Sequence, residues 1–351
     1  MLRSFLRRLL AGLLLLGLGC APAWASRQVT DMAGRQVEVP GQIRTLYAVG
    51  HCIPLVWAIA PEKLGNNRPM PEGARRFLPD GFFNGKRSPG SGAMELSDEE
   101  LVQMAPDLIV MEAYPGAAER ADRTQARLQI PVVLVDQDML HYPQAFSFLG
   151  QLLEQPEQAA RLSDFVHRYL DPIRETARQI PEARRLQVYY AEGPDGLSTN
   201  PAGSAHTQLL EFVGARNVAR VSNVPGEGLS KVSLEQLYAW QPQRILVWTP
   251  AAERRVTWKA IVDNPLWQNV QAVRNGQVLQ IPWLPFSWFD RPPGSNRIIG
   301  AVWLAQTLYP QYFRLDLVKI IQEYFQTFYH QSLTEADARA LLALSQPRHD
   351  G

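Results

Sequence analysis

Two stretches of the chain repeat one another at a fixed spacing, and this limits the possible folds more than any other feature. Ser97, Glu99, Leu101, Pro106, Ile109 and Val110 lead from a helix through a proline into an apolar strand. Ser233, Glu235, Leu237, Pro242, Ile245 and Leu246 do the same, each 136 residues later. In both copies the serine is placed to cap its helix, and the glutamate stands in the first turn, where its charge favours the helix dipole. Six matches at one spacing imply two units built alike.

Strands and helices alternate around each copy. In the first unit, 45–49 reads as a strand and 54–59 as a helix, then 97–104 as a helix, with buried strands at 108–111 and 132–135. The Pro- and Gly-rich stretch 66–92 shows no periodicity and reads as a long loop. In the second unit, 186–190 reads as a strand, helices start near His206 and Leu234, and 245–248 reads as a strand. This alternation favours parallel sheets with helices on their faces. Between the units, Ala159, Leu162, Phe165, Val166, Tyr169, Leu170 and Ile173 recur at helical spacing. The expected fold is α/β: two α/β lobes with central parallel sheets, at 26–155 and 181–351, joined by one long helix at 156–180. A ligand cleft is expected between the lobes. A chain of 351 residues is long enough for two cores.

The amino terminus bears on the compartment. Arg3, Arg7 and Arg8 precede an apolar stretch at 9–19, and Ala23-Trp24-Ala25 follows. The apolar stretch is short of the roughly 20 residues a membrane-spanning helix needs, and the small-x-small pattern suits signal peptidase. Residues 1–25 therefore read as a signal peptide, with a mature start at Ser26. Lipidation of Cys20 is the less favoured alternative, because Gly17 stands where such sites carry an aliphatic residue. Cleavage removes three of 35 basic residues against 34 acidic ones, so the net charge of +1 turns slightly negative. That balance excludes a nucleic-acid partner bound by broad phosphate attraction. Two cysteines cannot form a disulfide scaffold or a four-cysteine zinc site. Cys52 would remain alone, and the apolar Ile53, Leu55, Val56 and Trp57 after it predict a buried, inert thiol.

Catalytic signatures are missing. The chain has no Gly-x-Ser-x-Gly, His-Glu-x-x-His or Cys-x-x-Cys, and no phosphate loop ending in Gly-Lys-Ser/Thr. Gly226-Glu227-Gly228 lacks the third glycine of a dinucleotide turn. Neither an enzyme nor a resident cofactor is expected. The most unusual segment runs from Trp283 to Arg297, and four of its first seven residues are aromatic. It follows an expected strand at 278–281 and precedes a helix that Ser295 or Asn296 can cap. Ligands bind α/β sheets in loops at the carboxyl ends of strands. Here Trp288 offers a stacking face and Arg291 an anion-binding fork. The alternative is a satellite hydrophobic cluster with Asp290 and Arg291 paired locally. His51, Glu112-Ala113-Tyr114 and His206 also fall at strand ends or a helix start, where histidine and tyrosine can bind a transition metal or hydrogen-bond a chelate. Each alone reads more often as a solvated or capping residue, and their common placement at strand ends raises the binding reading. The candidate ligand-binding residues are His51, Tyr114, His206, Trp288 and Arg291, and the metal ligands stay open.

Several further motifs run in a fixed order. They are Val29-Thr30-Asp31 with Gly34-Arg35 and Val37, Val39-Pro40; Pro106-Asp107-Leu108-Ile109-Val110; Gly214-Ala215-Arg216-Asn217-Val218-Ala219; Leu234-Glu235-Gln236-Leu237 with Pro242; and Ala272-Val273-Arg274-Asn275-Gly276. In this order, over 27 to about 310, the chain resembles the periplasmic metal-chelate binding proteins of ABC importers, which deliver ferric siderophores, haem and cobalamin. The resemblance implies a monomeric periplasmic protein with two lobes bridged by a rigid helix, a ligand between them and no catalysis. It also implies docking on an ABC permease through one glutamate per lobe, and Glu99 and Glu235 stand at the matching positions. The expected ligand is a metal chelate, with a ferric siderophore in first place. Cobalamin and a molybdate-type oxyanion stay open, although an oxyanion would call for backbone donors at helix starts. A periplasmic two-lobe metalloenzyme is the alternative of a different class, and it would need a cysteine cluster that the mature chain lacks.

Overall fold

Both copies of the repeat build the same local structure. A computed structural model of the chain describes residues 26–89, 95–222, 229–249, 256–291 and 294–345. The expected signal peptide, Cys20, Gly226-Glu227-Gly228 and Pro292-Pro293 lie outside them. Ser97 caps the helix Asp98–Met104 by accepting from the Glu100 N–H, and the Glu100 carboxylate accepts from the Ser97 N–H. Ser233 and Gln236 form the same reciprocal pair on the helix Leu234–Trp240. Such boxes satisfy two N–H groups that a helix start otherwise leaves unpaired. Each helix ends in a left-handed residue, Ala105 at φ 47° and Gln241 at φ 43°. The next strand then docks on the opening strand of its lobe, Asp107 N to Thr45 O at 2.8 Å and Gln243 N to Gln187 O at 2.8 Å.

A hairpin of β1 (Arg27–Thr30) and β2 (Gln36–Val39) opens the described chain. The first lobe is a parallel sheet of β3 (Leu46–Ala48), β4 (Leu108–Glu112) and β5 (Val132–Val135), with β4 in the middle. In the second lobe, β6 (Gln187–Ala191) is followed by β7 (Ser198–Thr199) and β8 (Arg216–Asn217). Next come β9 (Ser230–Lys231), β10 (Arg244–Val247) and β11 (Val278–Gln280). Its sheet runs β11-β10-β6-β8, all parallel, while β7 and β9 pair apart from it. The central strands are covered on both faces, which is why they read as unbroken Val/Ile/Leu runs. The linking helix spans Pro156–Gln179, carries Pro172 inside it, and buries Leu162, Phe165, Val166, Leu170 and Ile173.

The described part of 66–92 is a long loop with two short 3-10 turns, Ala74–Arg76 and Asp80–Phe82. It is tied down: Leu64 just before it bridges to Leu46, and the Asn66 side chain bonds both backbone groups of Ala48. One expectation needs correction, because the last described helices do not stay with the second lobe. After β11 come the helices Asn296–Leu308, Leu317–Tyr329 and Glu335–Ala343, and the last two return to the first lobe. Trp57 Nε1 donates to Tyr329 O at 3.2 Å, and Arg76 pairs with Asp337 at 2.8 Å. Gln158 of the linking helix donates to Thr327 O at 2.9 Å. The helix Leu317–Tyr329 turns Ile320, Ile321, Tyr324, Phe325 and Phe328 to one side. The helix Cys52–Ile59, buried along its whole length, supplies the apolar surface they need. One apolar core therefore runs from the first lobe through the linking helix into the second, with a smaller cluster on the outer side of each sheet. Cys52 sits within that core, and burial pushes its thiol well up. Among the described residues, no helix is long and apolar enough to cross a membrane.

The loop that follows β11 presses against the helix Asn296–Leu308. A Cβ on Gly300 would meet the Trp288 carbonyl oxygen at 1.6 Å, which backbone cannot accommodate without moving. Gly300→Ala should therefore destabilise the protein by about 2 kcal/mol or more, although alanine favours helix by about 1 kcal/mol. Thermal melting checks this: a drop of at least about 4 °C is expected, and an unchanged or raised midpoint contradicts the packing described.

Candidate functional site

All strands of a parallel sheet end at one edge, so a short list of residues is brought together there. In the first lobe, β3 runs out through Val49 and Gly50 to His51, and β4 ends on Glu112. His51 Nδ1 lies 2.6 Å from Glu112 Oε2. His51 precedes the helix Cys52–Ile59 without capping it through its side chain, so the imidazole is free for this pairing.

In the second lobe, Glu192 follows β6, Trp248 follows β10, and Asp290 and Arg291 close the loop after β11. His206 comes from a short turn at Ala205–Thr207 capped by Ser204. Its Nδ1 lies 2.9 Å from Asp290 Oδ2, and the Tyr190 hydroxyl donates to Asp290 Oδ1 at 2.6 Å. Arg291 reaches Glu192 Oε1 through Nη2 at 2.7 Å and Nε at 3.1 Å, and stands 5.5 Å above the Trp248 ring. Asn200 donates to the other Glu192 oxygen at 2.5 Å. Both acids are fully buried, whereas Arg291 and His206 are 26% and 31% exposed. Carboxylates form the base of this cluster, and the imidazole and guanidinium form its face.

The electrostatics follow from burial. Loss of water pushes the Glu192 carboxyl up to about 7, and Asp290 adds to the rise while Arg291 offsets part of it. Burial works against the Arg291 charge, but Asp290 and Glu192 together more than compensate and hold its pKa up. Burial likewise raises the Tyr190 phenol, so it donates to Asp290 as a neutral hydroxyl. The two imidazoles share one arrangement. Each has Nδ1 on a carboxylate, and Nε2 has no partner among the described residues.

The lobes meet beneath this edge. Arg297, 3% exposed, donates to Gln137 O and to Tyr142 Oη at 3.3 Å in the first lobe. It also donates to Ala205 O and Gln208 Oε1 in the second, both at 3.4 Å. Tyr142 donates to Gly294 O at 2.6 Å, and Gln208 to Asp138 at 2.7 Å. A Cβ on Gly294 would come within 3.3 Å of His51 O, so the loop bearing Arg291 passes directly by the start of the His51 helix.

The predicted residues therefore separate. His206 and Arg291 share one cluster, and His51 stands on the facing edge. Tyr114 is 46% exposed and accepts from Arg120 within its own lobe at 3.3 Å, and among the described residues no hydrogen bond joins it to the imidazoles. Trp288 is a correction: it is 1% exposed, with its indole N–H on Leu284 O at 3.0 Å, so it offers a ligand no stacking face. The aromatic half of its loop turned inward because Phe286, Trp288 and Phe289 complete the main core rather than a satellite cluster. Glu99 and Glu235 are both exposed in their first turns, and the Ser233 hydroxyl holds the Glu235 carboxyl low. Sequence reasoning missed Glu192, the roles of Glu112 and Asp290 as imidazole partners, and the inter-lobe role of Arg297. An acid directly after an apolar strand was the available signal for Glu112 and Glu192.

Two parallel sheets with facing carboxyl edges, bridged by one helix and carrying polar groups on both edges, define a two-lobe solute-binding protein. Residues 70–283 match the periplasmic binding protein family, and the chain belongs to it. Members of this family are solute-binding transport proteins, not enzymes. The chain is 27% identical to the molybdate-binding protein MolA of Haemophilus influenzae, covering 88% of this chain and 93% of MolA. It is 30% identical to a vitamin B12-binding protein of Salmonella choleraesuis, over 58% of this chain and 69% of that protein. A solved ABC transporter solute-binding protein from Sulfurospirillum deleyianum superposes with a TM-score of 0.81 at 28% identity, over 90% of this chain and 98% of that one.

Proposed function

We propose that this periplasmic binding protein holds a metal chelate between its lobes, with His51 Nε2 and His206 Nε2 completing the coordination of a metal already bound by the chelator. The observation that carries this reading is the matched pair of carboxylate-backed imidazoles. A carboxylate on Nδ1 fixes the tautomer and leaves the Nε2 lone pair outward, as in metal-ligating histidines. Among the described residues, no group of three or more His, Cys, Asp or Glu side chains could hold a metal ion. The remaining ligands must therefore come with the metal, which points to a chelate such as a ferric siderophore. The likeness to MolA over most of the chain favours a second reading, a molybdate-type oxyanion. The cobalamin reading is weakened because Trp288 is in the core.

Fluorescence titrations with ferric siderophore complexes and with molybdate separate the two. His51→Ala and His206→Ala should each weaken chelate affinity at least about tenfold, about 1.4 kcal/mol. Molybdate binding with no chelate binding would establish the second reading instead.

The export and docking steps belong to the same proposal. The leader is cut after Ala25, and the monomer docks on its permease through Glu99 and Glu235. Reversing both glutamates to lysine should abolish transport while leaving ligand affinity within about threefold, and normal uptake by that variant refutes the docking assignment.

A further inference from the structure

The two imidazoles are backed by more negative charge than their surroundings answer. Glu112 stands 2.6 Å from His51 Nδ1, and Asp290 stands 2.9 Å from His206 Nδ1. Glu192 is a third acid one step behind. Among the described residues, Arg291 is the one arginine or lysine in ion-pair contact with any of the three. Its guanidinium reaches Glu192 Oε1 at 2.7 and 3.1 Å and Asp290 Oδ2 at 3.5 Å. Beneath them, Arg297 and Asp138 each bond the Gln208 side chain, and their opposite charges cancel. Three carboxylates therefore share one guanidinium.

The Glu192 carboxyl registers the imbalance. Burial first, and Asp290 second, push it up to about 7, and Arg291 offsets part of that rise. The side chains of Glu192 and Asp290 are fully buried and that of Glu112 is 25% exposed, so water and salt screen the excess weakly. The fork of Arg291 is turned on Glu192 through both Nε and Nη2, so its charge is already spent on the protein's own acids. A ligand of like sign brought against such a site is repelled, and one of opposite sign is attracted.

We propose that the cleft selects metal complexes by charge, taking a complex of net positive charge in preference to an anionic one. The inference rests on the metal-chelate reading and narrows it to a class of chelator. Hydroxamate-type donors, which cancel one metal charge per pair of oxygens, leave a ferric ion positive when two positions stay open for the imidazoles. Catecholate-type donors cancel two charges per pair and leave it negative.

Two chelators that each supply four donor oxygens give matched probes. The ferric complex of a linear dihydroxamate carries one net positive charge, and that of a linear dicatecholate carries one net negative charge. Fluorescence quenching titrations of the mature protein at about pH 7.5, above the Glu192 pKa of about 7, compare the two. The cationic complex should bind at least about tenfold more tightly than the anionic one. Glu192→Gln and Glu112→Gln each remove a negative charge while keeping the shape of the side chain, and each should narrow that ratio at least about threefold. Equal affinities for the two complexes, or tighter binding of the anionic one, overturn the inference. If that binding is lost in His51→Ala/His206→Ala, the chelate reading survives the failure; if neither complex binds, both fall together. Glutamine variants that weaken both complexes alike, with the ratio unchanged, assign the acids a structural role and also overturn the selection by charge.

Discussion

The rest of the structure depends on one buried guanidinium. Arg297 lies at the start of the helix Asn296–Leu308 and, among the described residues, donates only to neutral oxygens, the Gln137 carbonyl and Tyr142 hydroxyl of one lobe and the Ala205 carbonyl and Gln208 amide of the other. A charge held in this way is stable only while all its acceptors keep their positions, because each lost bond exposes a buried ion. The inter-lobe spacing is therefore set from within. The turn carrying His206 and the loop carrying Asp290 and Arg291 are both fixed against the edge where His51 stands.

On that frame the polar groups take separate roles. Asp290, Glu192 and Glu112 act from behind, each spending its oxygens on Tyr190, Asn200, Arg291 or an imidazole. The imidazole Nε2 atoms and the Arg291 face are left forward. Anchoring of this kind lowers the ordering cost of binding, since the groups that meet a ligand already hold their rotamers. The shared core works in the same direction: the helices after Leu308 reach back to Trp57, Arg76 and Gln158 and join both lobes to the linking helix. Large hinge motion would have to break that core, so little closure is expected.

Local patterns in the sequence were reliable where local physics decides the outcome. The Ser97 and Ser233 caps, the linking helix and the β4 and β10 strands follow from spacing and burial alone. Orientation and partner choice did not. Trp288 lies in a strand-end loop whether its ring faces ligand or core, and the core it completes with Phe286 and Phe289 turns it inward. Glu192 and Arg291 are 99 residues apart, and Asp290 and His206 are 84 apart, so no window could join them. The apolar stripe of Leu317–Tyr329 signals an amphipathic helix but not which lobe covers it.

The central claim is that one imidazole from each lobe, held from behind by a carboxylate, reaches the metal of the transported chelate. X-ray absorption at the iron edge, on protein loaded with a ferric siderophore complex, tests it most directly. Two imidazole nitrogens in the iron coordination shell are predicted, with one lost in His51→Ala and the other in His206→Ala. A spectrum identical to that of the free complex, unchanged in both variants, would contradict the account.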